Sequence, residues 1–292
     1  MISAYEEIPS IWRVWDYDPG LPGLTFTAEQ ANSTVRMNKG YTEDVSLEYS
    51  IDGSTWNDFI VGTTVVTLPS IGDKMCMRAK TTNSRMGYNG YYNTFVMTGK
   101  IAASNSIMYL LKKDGNQSYI PPFCFQSLFD RCTSLTKAPE IPATRLYNYC
   151  YDDMFRGCTS LTQAPSILPA TTLATNCYYD MFRGCTSLTT APDLPATELA
   201  SNCYRGMFQG CTSLSIAPDL PATALATNCY YDMFNGCSSL NSIKIGYTGN
   251  FSVTYTAGWV TGVASTGTFY YNGSDTAIGS SAIPTGWTIQ TF

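Results

Sequence analysis

Apolar residues in the middle of the chain return at a spacing of four. Leu199, Cys203, Met207 and Cys211 stand at i, i+4, i+8 and i+12, and Tyr204 and Phe208 form a second row beside them. This spacing predicts one broad face of an α-helix of roughly three turns. A Pro-Ala-Thr triplet precedes each such stretch (Thr144, Thr171, Thr197, Thr223), where threonine can cap free amides. Glycine follows it (Gly157, Gly184, Gly210, Gly236) as a stop signal. Arg131 holds that place in the first unit, which predicts a less regular helix end there. After the stop comes Cys-Thr-Ser-Leu, then Ala-Pro. A short strand is expected around Leu161, Leu188 and Leu214, ended by the proline, which has no N–H for a ladder.

The pattern repeats. Ten of the eleven cysteines form pairs eight residues apart: Cys124/Cys132, Cys150/Cys158, Cys177/Cys185, Cys203/Cys211 and Cys229/Cys237. The pairs recur every 26 residues, with one interval of 27 caused by an extra residue at Ile167-Leu168, read as a small bulge. A period of this size marks stacked coils. Each coil offers about six apolar side chains worth roughly 1.5–3 kcal/mol each when buried, too little for one coil alone, so several must stack and the ends need caps.

The motif Met154-Phe155-Arg156-Gly157-Cys158-Thr159-Ser160-Leu161, followed by a Leu-Pro step and repeated over residues 124–240, resembles the BspA-like leucine-rich repeats, whose Phe-x-x-Cys-x-x-Leu core closes each coil. The repeats here are longer than usual for that family. The resemblance implies a non-catalytic, surface-binding protein of the kind found on Bacteroidetes cells and on the phages that infect them. It transfers no site residues.

The paired cysteines read as buried filler. On one helix, two residues eight apart lie about 12 Å apart, whereas a disulfide needs Cα atoms within roughly 4.4–6.8 Å. Equivalent cysteines on neighbouring helices, about 8–10 Å apart, are also too distant. There is no Cys-x-x-Cys and no histidine, so zinc is not favoured and no metal or other cofactor is expected. Cys76, alone in the apolar run 74–77, reads as a core thiol. Reduced cysteines suit folding in a cytoplasm.

The missing histidine also removes Ser-His-Asp and Cys-His nucleophile activation. The adjacent acids Asp152-Asp153 sit inside the repeat, and Asp180 and Asp232 take the place of Asp153 in later coils, a regularity that favours structure over catalysis. The chain is not expected to be an enzyme; a carboxylate-dependent glycan hydrolase is the weakest of three readings. The net charge is −5 and only 13% of residues are charged, so the basic stripe of a nucleic-acid binder is missing. A sparse charge with many Ser, Thr, Asn and Tyr suits a glycan or protein partner, or plain solubility. No run of 18 apolar residues predicts a membrane span. Residues 1–7 lack the charged and apolar regions of a secretory signal.

The flanks divide the rest. Residues 1–23, with Trp12, Trp15 and Tyr17, read either as an anchoring leader or as an edge strand of the next unit. Residues 24–100 read as β: residues 45–51 alternate, Asp52-Gly53 marks a hairpin, and 65–68, 75–78 and 94–97 are further strands. Residues 101–123 and 241–292 read as caps; residues 268–271 and 287–289 should pair, with Trp259, Tyr270 and Tyr271 either packing the cap or facing a ligand. The expected fold class is α+β: an N-terminal β-sandwich of fibronectin or immunoglobulin type, a leucine-rich-repeat α/β solenoid over 124–240, and a β-rich C-terminal cap.

A binding surface should use positions that vary while the core letters stay fixed. The third coil position reads Gln126, Asp152, Tyr179, Arg205 and Tyr231; the seventh reads Asp130, Arg156, Arg183, Gln209 and Asn235. A second set follows the strand: Lys137, Gln163, Thr190 and Ile216. Tyr and Arg are common interface anchors, although each set can equally be an ordinary solvated face. The leading expectation is a phage virion protein, a fibre or receptor-binding component. Its N-terminal segment would meet other virion proteins and its solenoid a host glycan or protein, with a homotrimer left open. A bacterial surface adhesin is the alternative.

Overall fold

The computed structural model describes residues 21–117 and 119–292, so all but the last three residues of the 1–23 leader, including Trp12, Trp15 and Tyr17, lie outside the described residues. The α+β class with a leucine-rich-repeat α/β solenoid is not what forms. Among the described residues the chain is mostly β and turn, in several sheets, with a single α-helix of four residues, Val253–Thr256 (α1), and one 3-10 turn, Ile107–Leu110.

Ten strands occupy the N-terminal part: β1 (Leu24–Ala28), β2 (Ser33–Asn38), β3 (Leu47–Ser50), β4 (Asn57–Phe59), β5 (Val65–Leu68), β6 (Lys74–Ala79), β7 (Gly87–Tyr88), β8 (Tyr91–Tyr92), β9 (Thr94–Thr98) and β10 (Ile101–Ser104). The hairpin anticipated at Asp52-Gly53 joins β3 to β4 with Leu47 opposite Phe59. Asp52 Oδ1 accepts from the Ser54 and Thr55 N–H groups at 2.8 and 2.7 Å, and Gly53 takes φ 75. One sheet runs β10-β1-β6-β3-β4 and a second runs β5-β2-β9. Phe26 of β1 and Phe95 of β9 meet edge to face at 5.1 Å, which packs one sheet on the other. Phe129 from the first repeat stacks on Phe95 at 4.9 Å, so strands and repeats share one core. β11 (Leu135–Lys137) of the first repeat extends the larger sheet by pairing in parallel with β10.

The repeats replace helix with a turn ladder. In the second coil, the N–H groups of Tyr151, Asp153, Phe155 and Gly157 donate to carbonyls of the third coil at 2.7–3.0 Å. Those of Met154, Arg156 and Cys158 donate back three residues at 3.1–3.2 Å. Every fourth residue takes a left-handed φ: Asn176, Asp180 and Gly184 lie at 56, 50 and 74°, and Asn202, Gly206 and Gly210 at 54, 60 and 75°. These are the residue types that adopt that region at least cost. The reason the helix fails is arithmetic. An α-helix advances about 100° per residue, so a strict four-residue spacing drifts about 40° per step and cannot keep one face. A turn closed every four residues keeps it without drift. Arg131 conforms too, with φ 55 and its N–H on Arg156 O, so the first coil is as regular as the rest.

Stacking puts like on like. Phe129, Phe155, Phe182, Phe208 and Phe234 form one column with ring centroids 5.3–5.8 Å apart. Phe125, Tyr151, Tyr178, Tyr204 and Tyr230 form another at 5.7–6.2 Å. The eleven cysteines are buried free thiols. In the last four pairs the second cysteine has a specific job: Cys158, Cys185, Cys211 and Cys237 donate Sγ–H at 3.0–3.1 Å to the phenylalanine carbonyl of the preceding coil. That carbonyl also accepts the local turn N–H, as Phe129 O does from Cys132, so both lone pairs are used. Burial pushes the Cys124, Cys132 and Cys237 thiols up to about 12, which keeps them protonated as donors.

The ladder is closed at both ends. Phe95 N–H bonds Leu128 O at 2.8 Å and Met86 N–H bonds Cys124 O at 3.0 Å, so the N-terminal β layer covers the first coil. Residues 252–262 supply a sixth level, bonded through Thr254, Tyr255, Ala257, Trp259 and Thr261 carbonyls. Trp259 lies at 6.0 and 6.1 Å from Tyr230 and Phe234, ending both ring columns, and donates its indole N–H to Ala282 O at 2.8 Å. β12 (Ser242–Ile245), β13 (Thr268–Tyr271) and β14 (Thr288–Gln290) complete this end as a parallel sheet.

Gly206 tests the ladder. It holds φ 60, and a Cβ there would overlap Asp180 Oδ1 in the coil before. Gly206→Ala should cost about 1–3 kcal/mol, read as a lowered urea midpoint at unchanged slope. No change in the midpoint would mean that the two coils are not in this contact.

Candidate functional site

The eight residues picked for variability, Asp152, Tyr179, Arg205, Tyr231, Arg156, Arg183, Gln209 and Asn235, lie along the turn side of the stack. The structure brings them together mainly with their own neighbours. Arg156 clamps Asp130 with two nitrogens (2.9 and 3.0 Å) and reaches Asp153 at 2.8 Å. Arg183 bonds Asp180 at 2.9 Å, and Asn235 donates to Asp232 at 2.9 Å. Gln126 donates to Asp152 at 3.0 Å. Arg205 sits between two rings, 5.4 Å from the Tyr179 centroid and 4.3 Å from that of Tyr231. Gln209 lies half-buried beside Gly206.

These contacts link side chains between coils or within one turn, so the charges are largely spent on the stack. The carboxyls behave accordingly. Burial, with the charge of Asp153 next, pushes Asp152 up to about 8; burial pushes Asp153 to about 6 against the opposing pull of Arg156. Asp152 is only 7% exposed, which disqualifies it as a surface contact. Tyr271 and Trp259, read as cap or ligand residues, are buried in the cap, and Tyr270 is half-buried.

The opposite, strand side carries a groove. Parallel β-bridges join Lys137 to Gln163, Gln163 to Thr190, Ile167 to Asp193 and Thr172 to Glu198. They resume from Ile216 to Ser242 and from Leu220 to Ile245. Among the described residues none links the third coil to the fourth on this side. On the turn side the same two coils are fully bonded, as Asp180 N–H to Arg205 O and Phe182 N–H to Met207 O at 2.8 and 2.9 Å. The interruption coincides with a groove of about 1030 Å³ walled by residues 189–191, 193–195, 215–219 and 221 and by Ile167, Pro169 and Thr171 of the second coil.

The lining is mostly aliphatic and proline, with threonines and the acids Asp193 and Asp219. Ile216 is 63% exposed there, an apolar side chain displayed rather than packed. Thr190 and Ile216 belong to the strand-side variable set, so sequence comparison of coils within the chain reached two of the lining positions. Ile167, at the extra residue of the second coil, was read only as a bulge. The prolines carried no signal, because they recur in every full coil, and Asp193 and Asp219, which follow Ala-Pro in the third and fourth coils, were not singled out.

Among the described residues, no group of three or more Cys, Asp or Glu side chains is placed to hold a metal ion. No helix is long and apolar enough to cross a membrane. No protein-family model, curated protein or solved structure matches this chain.

Proposed function

We propose that this chain is a non-catalytic recognition protein, a fibre or receptor-binding component of a phage virion that offers the strand side of its repeat stack to a bacterial surface. The observation that carries this reading is the groove between the third and fourth coils. A stack bonded at every level on its turn side opens on the other side and displays Ile216 in a concave apolar surface of about 1030 Å³. Open apolar concavities of that size suit ligands, and isolated exposed apolar patches suit partners. The buried, unpaired thiols support folding in a reducing cytoplasm, where virion parts are made. The N-terminal segment is proposed to contact other virion proteins.

Two measurements test this. Mass spectrometry of purified virions should find the chain in the particle; finding it on bacterial cells and not in particles would favour the adhesin, which the BspA-like motif equally suits. Labelled protein should bind the bacterium on which those virions grow. Ile216→Asp should weaken that binding at least tenfold, about 1.4 kcal/mol. Binding equal to that of the unaltered chain would overturn the groove as the contact surface.

A further inference from the structure

We propose that the turn side of the fourth coil binds an oxyanion, a carboxylate or a phosphate, through the guanidinium of Arg205. This goes beyond the reading of the groove and does not rest on it, since the groove opens on the other side of the stack.

Equivalent coils differ at one point. In the second, third and fifth coils the fourth position is an acid, Asp153, Asp180 or Asp232. Each acid takes up the seventh-position donor of its own turn, Arg156, Arg183 or Asn235, at 2.8–2.9 Å. In the fourth coil that position is Gly206. An acid has no room there, because a Cβ would overlap Asp180 Oδ1 from the third coil. The seventh-position residue, Gln209, therefore has no acid in its own turn, and its amide bonds to no protein group. The third-position residue, Arg205, makes no hydrogen bond or ion pair either. Asp180 is spent on Arg183 at 2.9 Å and forms no ion pair with Arg205.

Arg205 is nonetheless held in place. Tyr179 of the coil before and Tyr231 of the coil after bracket it, with ring centroids 5.4 and 4.3 Å away. A ring face stabilises the cation's charge but offers no lone pair to the five donors of the guanidinium. A planar fork fixed between two rings has given up much of its rotamer freedom before a ligand arrives. That favours bidentate pairing with a carboxylate or phosphate. Arg131 and Arg145 also lack polar partners but stand exposed with no ring against them, and Arg85 meets one ring, Tyr88 at 4.7 Å. Arg205, Gln209 and both tyrosines are half-buried, so the site is fixed and still reaches water. The chain's net charge of −5 supplies no general attraction for anions, so the attraction here is local.

The test is a titration of the full, isotope-labelled chain at low salt, followed by NMR, with D-glucuronate, inorganic phosphate and neutral D-glucose as probes. The Arg205 side-chain N–H signal and the amides of residues 205–209 should move saturably with one or both anions, at a dissociation constant of about 1 mM or tighter. They should not move with glucose. Arg205→Gln should weaken binding at least tenfold, whereas Arg131→Gln, which removes an exposed arginine of the first coil, should leave it unchanged. A response to glucuronate alone names an acidic sugar as the source, one to phosphate alone a phosphate ester, and one to both the oxyanion itself. No saturable shift with either anion, an equal response to glucose, or equal binding by the Arg205→Gln and Arg131→Gln chains would overturn the proposal.

Discussion

Phe182→Ala should cost about 3–5 kcal/mol of unfolding free energy, the usual range for deleting a buried aromatic ring. Phe182 is fully buried at the middle of its column, parallel to Phe155 at 5.4 Å and to Phe208 at 5.7 Å. The space left cannot collapse easily. The coils on either side are pinned at their spacing by the Phe155 and Phe182 N–H bonds to Met181 O and Met207 O, both 2.9 Å, and by Cys211 Sγ on Phe182 O at 3.1 Å. A cavity that neighbours cannot fill carries the full packing penalty on top of the lost transfer energy. The loss should also be visible in place. Each coil touches only the next, so the weakened level becomes the point at which the stack parts. Hydrogen exchange at Phe155, Phe182 and the glycines beside them should accelerate more than at β1 or β6. A change below about 1 kcal/mol in urea unfolding would show that the ring columns contribute little to holding the coils together.

Asp152→Asn should stabilise the protein at alkaline pH and leave it nearly unchanged in acid. Asp152 Oδ2 accepts the Gln126 amide at 3.0 Å, while Oδ1 is buried with no protein partner. Burial first, and then the charge of Asp153, lift the carboxyl from 3.8 to about 8. The folded chain therefore keeps this proton up to about pH 8, whereas the unfolded chain releases it near 3.8. Between those values the folded state binds more protons, so stability is full below about pH 4 and falls as the pH rises towards 8. Asp153, lifted to about 6, adds a slope of the same sign over the lower part of that window. Asparagine copies the neutral form and keeps an acceptor for Gln126. The full lift corresponds to at most about 6 kcal/mol, so thermal unfolding should show the two proteins within about a degree at pH 4 and the variant higher at pH 8.5 by at least roughly 4–8 °C, about 2 kcal/mol or more. A wild-type melting temperature that does not fall between those pH values would contradict a buried, protonated Asp152.

The sequence was most informative where the physics is local or periodic. The Asp52-Gly53 hairpin and the strands expected at 65–68 and 94–97 follow from alternation and turn chemistry, and residues 268–271 do pair with the segment at 288–290, in a parallel sense that only the structure supplied. The burial of the paired cysteines followed from their repetition among apolar neighbours. The four-residue spacing was visible but assigned to the wrong element, since spacing alone does not distinguish a helical face from a ladder of tight turns. Asn176, Asp180 and Gly184, four apart, were the available sign, because they are the residues that accept a left-handed backbone. Their N–H bonds run to the next coil, and no window of one coil's length contains both ends of such a bond. The sixth level, closed by Trp259, broke the letter pattern while keeping the backbone one.

The candidate site divides in the same way. The eight turn-side residues were recognisable as variable, but only the folded turns decided which of them are occupied: Arg156 on Asp130 and Gln126 on Asp152 between coils, and Arg156 on Asp153, Arg183 on Asp180 and Asn235 on Asp232 within one turn. By itself, the sequence determined that these units repeat, that their sulfur and ring positions are interior, and that histidine chemistry is absent, because composition and period are properties of the chain alone. The tertiary structure decided that the units bond as turns rather than helices and that the third and fourth coils part on one side. Both depend on hydrogen bonds between residues about 26 positions apart, which form or fail according to how one coil lies on the next.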